Sequence, residues 1–188
     1  MKIVLASASP RRREILSMVC SDFDVRVASI DEGYNGESDI DAWIQDIALK
    51  KTLGVPSAPD EVIIGCDTVV YHEGKLLGKP KSRDEAISML ASMSGKAHKV
   101  ITGICVRTSA GSYTDSVCTL VHMRRLTLKE IKKYVDTCEP YDKAGAYGIQ
   151  EMAGAFVERI DGDFFNVVGL PLCRLCTLLK EKLGVDLI

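Results

Sequence analysis

The stretch that decides the fold reads EVIIGCDTVVY and covers residues 61–71. Its two apolar runs, 62–64 and 69–71, are rich in β-branched residues, and such continuous runs predict a strand covered on both faces. Gly65 and Asp67 stand between these runs. A carboxylate in this setting is costly unless it is paired or binds a metal. Asp67 is therefore the best chemical candidate, and the alternative is a structural aspartate satisfied by neighbouring N–H groups.

Strands and helices alternate around this segment. Lys2–Ala6 is a short apolar stretch that predicts a strand, Ser9 suits an N-cap, and Pro10 suits the first helical position. Periodicity and capping signals predict the remaining elements: strand Phe23–Ala28, helix Asp41–Leu53, a turn at His72–Lys75, a helix after a capping box at Ser82–Glu85, a hairpin of Lys99–Arg107 with Tyr113–Arg125, a helix after a capping box at Thr127–Glu130, a long loop Glu139–Gln150, a hairpin of Ala155–Ile160 with Phe164–Val168, and a last helix ended by Gly184. This order predicts one α/β domain, residues 1–188, with a mixed sheet flanked by helices and two lobes with a cleft between them.

The composition is that of an ordinary globular protein. The chain has 188 residues, 46% hydrophobic and 27% charged, with a net charge of −2. A general nucleic-acid binder needs a strong positive surplus, so that class is not expected. No apolar run approaches the roughly 18 to 20 residues of a membrane span. Residues 3–8 are too short for a signal-peptide core, so we expect neither secretion nor a membrane partner.

Seven scattered cysteines suggest a reducing compartment, and we expect a cytoplasmic protein. Cys173 and Cys176 form one C-x-x-C without two further ligands at zinc spacing. We interpret them as two thiols packed on a helix, with a zinc or redox role as the alternative.

Arginines 11–13 directly follow Ser9-Pro10, where the helix begins. A helix N-terminus carries about half a positive charge, so cations are unfavourable there unless an anion joins them. Backbone N–H groups at that position favour phosphate, and arginine adds a fork of donors that matches two phosphate oxygens. Ser7 and Ser9 can add hydroxyl groups. We interpret Arg11 and Arg12 as phosphate contacts and Arg13 as a solvated side chain.

Three further residues fit a phosphate site less specifically. The segment Gly74–Lys79 is not a P-loop, because only three residues separate its glycines and Pro80 replaces the magnesium-binding hydroxyl residue. Lys79 can still supply one charge to a phosphate, or be an exposed loop lysine. Glu32 could join Asp67 in a magnesium site or simply be solvated. Gln150 could read a pyrimidine edge with its amide, although many loop glutamines have no such role.

At these residues the chain resembles the Maf family of nucleoside triphosphate pyrophosphatases, also called septum-formation inhibitor proteins. The matching pieces run in order along the chain: Ser7-Ala-Ser-Pro-Arg-Arg12, Asp31-Glu32, Ala48 with Lys51, Gly65-Cys-Asp-Thr68, Gly78-Lys-Pro80, Lys143-Ala-Gly-Ala-Tyr-Gly-Ile-Gln150 and Asn166-Val-Val-Gly-Leu-Pro171. The set is specific, although each piece alone would be weak.

The resemblance implies an α/β fold of the Maf and inosine-triphosphatase type, with a cleft between two lobes. It also implies a homodimer, a divalent metal such as Mg²⁺ or Mn²⁺, and hydrolysis of a nucleoside triphosphate to the monophosphate and pyrophosphate. Carried over by position, Asp67 resembles the family's catalytic acid–base residue. The residues that resemble its substrate or metal shell are Ser7, Arg12, Glu32, Lys51, Lys79 and Gln150.

The family's branches differ at the positions of Arg11, Thr68 and Gln150. This chain has the residue types of the dTTP/UTP branch there, whereas the 7-methyl-GTP branch tends to carry tryptophan, glutamine and glutamate. Cys66 and Thr52 depart mildly from the family pattern. Two alternatives stay open: a pyrophosphatase for 7-methyl-GTP or another modified nucleotide, and a nucleotide-sensing protein that restrains cell division without turnover.

Overall fold

The computed structural model describes residues 1–30, 33, 39–137 and 139–188. The strands are β1 (Lys2–Leu5), β2 (Phe23–Val25), β3 (Glu61–His72), β4 (Lys75–Leu77), β5 (Ala97–Thr108), β6 (Gly111–Met123) and β7 (Val157–Asp161). The α-helices are α1 (Pro10–Ser17), α2 (Ile40–Leu53), α3 (Arg83–Met93), α4 (Leu128–Val135), α5 (Phe164–Val168) and α6 (Leu172–Leu183). The predicted α/β class is confirmed. None of the helices in the described ranges is long and apolar enough to cross a membrane.

The strands form one seven-stranded mixed sheet in the order β2-β1-β3-β5-β6-β7, with β4 paired to β3. Strand β1 lies parallel to both β2 and β3, whereas β4 and β7 run antiparallel to β3 and β6. The predicted mixture of parallel and antiparallel strands is therefore confirmed.

The chain divides into two compact units. The first contains Met1–Asp67, Thr102–Val117 and Gly169–Ile188, and the second contains Thr68–Ile101 and Cys118–Val168. Each has its own buried residues: Val4 and Ile63 belong to the first unit, and Leu90 and Tyr134 to the second. A division into two parts agrees with the expected lobes, while the cleft stays a prediction.

Two glycines let helix α2 lie directly on the sheet of the first unit. A Cβ at Gly65 would stand 2.4 Å from the carbonyl oxygen of Ala48, and one at Gly103 would stand 2.2 Å from that of Ile44. Either distance is far below van der Waals contact, so only glycine fits. The close approach sets the height of α2 above β3, and therefore the position of Lys51 in its last turn.

The second predicted hairpin was wrong. Residues 164–168 form helix α5 instead of a strand, and β7 pairs with β6. The Asp163 carboxylate accepts the backbone N–H of Phe165 at 2.8 Å, which favours a helix start. Asn166 is buried and donates to the Val100 carbonyl and the Thr119 hydroxyl. These long-range bonds, invisible in local periodicity, outweigh the β-propensity of the aromatic and valine residues.

Several predicted boundaries also moved. The second strand ends at Val25 instead of Ala28. The Glu139–Gln150 loop contains two short 3₁₀ turns, and a third follows it. The box at Ser82 is only half formed, because Glu85 accepts the N–H of Lys81 instead of that of Ser82. The Thr127 capping box and the Gly184 helix end are confirmed.

Candidate active site

The turn between β1 and α1 is organised by its two serines. The Ser9 hydroxyl accepts the Arg12 backbone N–H at 3.4 Å and so caps α1, while the Ser9 N–H donates to the Ser7 hydroxyl at 3.3 Å. Pro10 occupies the first turn, as predicted, and no acidic residue lies there to neutralise the helix start. The turn therefore collects hydroxyl groups and arginines at the positive pole of α1.

The Arg12 side chain lies against backbone carbonyls of the first unit. Its Nε donates to the Gly169 carbonyl at 2.8 Å, and its Nη1 donates to the Cys66 carbonyl at 2.9 Å and to the Ser7 hydroxyl at 3.2 Å. Its Nη2 lies 4.0 Å from Asp67 Oδ1. The expected proximity of Arg12 to the strand carboxylate is therefore found. Nε and Nη1 bond to protein atoms, which the phosphate interpretation did not anticipate.

Lys51 is the second cation beside Asp67. Its Nζ donates to Asp67 Oδ1 at 2.5 Å, and the two side chains are only 12% and 15% exposed. Two cations thus offset the cost of partly burying this carboxylate. Among the described residues, the hydrogen bond that it accepts comes from the Lys51 side chain and not from a backbone N–H group. Asp67 Oδ2 has no hydrogen-bond partner among the described residues.

The neighbours of this cluster differ in exposure. Arg11 is half-buried on α1, whereas Arg13 is exposed, in agreement with its interpretation as a solvated side chain. Cys66 is fully buried, and burial raises the pKa of its thiol above the usual value. Cys66 therefore serves as a small apolar residue, and its carbonyl oxygen is the part that contacts Arg12.

Three predicted site residues belong to the second unit. Thr68 is half-buried on β3, and Lys79 and Gln150 are exposed. The Gly145 N–H donates to the Gly78 carbonyl at 3.0 Å, so the segments carrying Lys79 and Gln150 are joined inside this unit. Glu32, the second predicted metal ligand, lies outside the described residues.

The described residues supply few of the donors that a divalent metal needs. No group of three or more His, Cys, Asp or Glu side chains that could hold a metal occurs in the described part of the chain. Mg²⁺ in nucleotide enzymes uses one or two carboxylates and completes its shell with water and phosphate oxygens. Asp67, whose Oδ1 accepts the hydrogen bond of Lys51, fits a metal that is shared with a phosphate ligand.

Sequence reasoning missed the carbonyl of Gly169. It lies 157 positions from Arg12, and no local pattern connects them. The only signal was the segment Asn166–Pro171, which entered through the resemblance and not through its own chemistry. Cys173 and Cys176 lie on one helix, α6, as predicted, but Cys173 is exposed and not packed.

The first unit thus places two cations, a capped helix start and one carboxylate in a single cluster, which is an arrangement that suits an anionic ligand. The family model "Maf-like protein" matches residues 2–182. The chain therefore belongs to the Maf-like protein family, as the motifs predicted.

Curated relatives match over the whole length. The chain is 45% identical over 194 residues to a protein of Clostridium novyi and 46% identical over 192 residues to one of Thermoanaerobacter strain X514, with all of both chains covered. It is 43% identical to a protein of Alkaliphilus metalliredigens, over 100% of this chain and 99% of that one. Each of these relatives is named dTTP/UTP pyrophosphatase.

Proposed function

We propose that this protein hydrolyses dTTP and UTP to the corresponding monophosphate and pyrophosphate. The observation that carries the proposal is the contact of one partly buried carboxylate, Asp67, with Lys51 and Arg12 beside the capped start of α1. Full-length relatives with that activity in their names support the same reaction. The role in the cell would be removal of excess or unwanted triphosphates from the nucleotide pool. Restraint of cell division remains a separate prediction.

In the proposed reaction, a water oxygen attacks the α-phosphorus and the bond from that phosphorus to the α,β-bridging oxygen breaks. Asp67 orients the water and accepts its proton, and pyrophosphate leaves with the bridging oxygen. Lys51 and the arginines of α1 offset the triphosphate charge, and positioning and electrostatics carry most of the rate. Ser7 contributes a hydroxyl beside Arg12.

A divalent cation, Mg²⁺ or Mn²⁺, would be held by Asp67 together with substrate oxygens, with Glu32 as the second predicted ligand. When bound, it would neutralise charge on the departing pyrophosphate. The assignments of Thr68, Lys79 and Gln150 to substrate binding and pyrimidine preference stay predictions from the sequence, as do the homodimer and the cytoplasmic location.

The deciding experiment incubates the protein and Mg²⁺ or Mn²⁺ with each common triphosphate, 7-methyl-GTP and inosine triphosphate. Products are identified by mass in water enriched in heavy oxygen. We expect pyrophosphate from dTTP and UTP, with the label in the monophosphate, because attack is at the α-phosphorus. Label in pyrophosphate would contradict this mechanism. Tight binding without any product would favour the sensing protein, and a preference for 7-methyl-GTP would favour the other branch.

A further inference from the structure

A buried lysine, Lys143, holds together the segment that carries Gln150. Lys143 is only 7% exposed, and its Nζ donates to the Glu139 carbonyl at 2.8 Å and to Asp142 Oδ1 at 2.6 Å. The same Nζ lies 2.9 Å from Glu151 Oε2. A lysine ammonium has three N–H donors, and these contacts provide three acceptors. Lys143 therefore joins the two ends of residues 143–151, which we call the Gln150 loop.

The inside of the Gln150 loop is fixed as closely as its ends. The Tyr147 hydroxyl and His98 Nε2 are 2.6 Å apart in a buried pair, and their rings pack edge to face at 5.3 Å. A Cβ at Gly148 would stand 2.7 Å from Lys143 Cε, so the backbone lies directly on the lysine stem. Gly145 has a φ of +70° and donates to Gly78. These contacts leave the backbone before Gln150 little freedom.

The charge of Lys143 is balanced by two carboxylates, one on the residue before the Gln150 loop and one at its end. Burial alone lowers the pKa of this ammonium group, but hydrogen bonds and attraction from Asp142 and Glu151 outweigh burial and raise the pKa above its usual value. A charged lysine at this depth costs several kcal/mol unless it is paired in this way. Lys143, with the carboxylates of Asp142 and Glu151 and the carbonyl of Glu139, thus holds the geometry of this segment.

We propose that Lys143 is a positioning residue for nucleotide preference, because its ion pair with Glu151 and its packing on Gly148 hold Gln150, with the Tyr147–His98 pair as a second anchor. The inference rests on the proposed function of Gln150 as the residue that reads the base. Lys143 itself touches no reacting atom in this scheme. Its contribution is a fixed backbone, and a shift of about 1 Å at a reading residue can cost up to about a hundredfold.

The test compares Lys143→Gln, which removes the charge and leaves a shorter polar side chain, with Lys96→Gln in the same unit. Lys96 makes an exposed pair with Glu73 at 2.8 Å, so it is a matched lysine without a buried role. We expect Lys143→Gln to raise KM for dTTP and UTP by about tenfold with a smaller change in kcat, and to narrow the preference for them over dGTP. Lys96→Gln should leave KM, kcat and the nucleotide preference unchanged.

A second variant tests the same contact in case Lys143→Gln does not fold. Glu151→Gln removes one charge at an exposed position and keeps the shape of the side chain, so it should fold while weakening the contact with Lys143. We expect it to shift preference in the same direction as Lys143→Gln, by a smaller factor. Circular dichroism and thermal unfolding report whether each variant is folded.

A double-mutant cycle with Gln150→Ala separates positioning from general stability. If Lys143 acts through Gln150, then Lys143→Gln should change preference in the wild type and not in the Gln150→Ala background. Equal changes in both backgrounds, or an unchanged preference in folded Glu151→Gln and Lys143→Gln, would overturn the inference. Failure of the proposed function itself is seen separately, since the unmodified protein would then release no pyrophosphate from any triphosphate.

Discussion

Asp67 is held by cations on one side of its carboxylate. Among the described residues, Lys51 and Arg12 both approach Oδ1. In the proposed reaction, Oδ2 is therefore the oxygen for water or a metal. We expect Asp67→Asn to lower turnover by about 10²- to 10⁴-fold, because an amide cannot accept the proton from water. Steady-state turnover of dTTP measures this, and the far-ultraviolet dichroism should stay that of the wild type. Near-normal turnover would remove Asp67 from the mechanism.

Arg12 supports the same carboxylate through the backbone. Its fork satisfies the carbonyls of Cys66 and Gly169, and a lysine at this position cannot reach both in that planar geometry. We expect Arg12→Lys to lower the free energy of unfolding by about 1–3 kcal/mol, the cost of a buried polar group left without a partner. Urea unfolding measures the loss. An unchanged midpoint would mean that a solvent molecule replaces the lost bond.

Helix α2 is the element that carries Lys51 to Asp67, and it depends on Gly65 and Gly103. We expect Gly103→Ala to destabilise the protein by about 1–3 kcal/mol, because the new methyl group overlaps the Ile44 carbonyl. Gly65→Ala should additionally lower turnover, since it displaces α2 at Ala48, within one turn of Lys51.

Gly78→Ala is the matched control for these stability measurements, since a Cβ there meets nothing within 4 Å. An alanine in open space is neutral or slightly stabilising. If Gly65→Ala and Gly103→Ala unfold at the same urea concentration as Gly78→Ala and the wild type, the position of α2 does not depend on these two glycines.

Strand β5 carries a titratable group that affects stability. Burial, with a smaller contribution from the charges of His72 and His122, lowers the pKa of His98 from 6.5 to about 4. The unfolded chain therefore binds more protons between these values, and the free energy of unfolding should fall by about 3 kcal/mol as the pH drops from 6.5 to 4. Above pH 6.5 this contribution is fully present.

Urea unfolding at several pH values tests this expectation. In His98→Gln the fall between pH 6.5 and 4 should largely disappear. Glu130 provides an internal comparison, because its bond with Arg124 lowers the pKa of the carboxyl from 4.5 to about 2, so its contribution is lost only at lower pH. An equal slope in the variant and the wild type between pH 6.5 and 4 would assign the effect to other groups.

At the scale of the whole molecule, the proposed chemistry and the proposed base reading belong to different units. Asp67, Lys51 and Arg12 lie in the first unit, and Gln150 lies in the second. We expect Gln150→Glu to reduce kcat/KM for dTTP and UTP by about tenfold or more and to abolish the preference for pyrimidine nucleotides. The reason is that a carboxylate cannot donate a hydrogen bond as the amide does. A panel of triphosphates measures the preference. The same order of preference as in the wild type would exclude a reading role for Gln150.

The sequence by itself was sufficient for what depends on neighbours along the chain. The buried strand around Asp67, the Ser9 and Thr127 caps, the β5–β6 hairpin and the Gly184 helix end follow from propensity, capping and alternation, which act over a few residues. The placement of a carboxylate in an apolar strand also showed, without coordinates, that a partner for it had to exist.

Only the tertiary structure decided which groups became those partners. Arg12 donates to the Gly169 carbonyl, and Lys51 donates to Asp67 because two glycines allow α2 to lie close to the sheet. Lys143 pairs with Glu151 across the ends of the Gln150 loop. The tertiary structure also made residues 164–168 a helix, since Asn166 is held by Val100 and Thr119. The physical reason is common to all of these: a buried polar group must find a partner in space, and the identity of that partner depends on packing between distant segments, which no local pattern encodes.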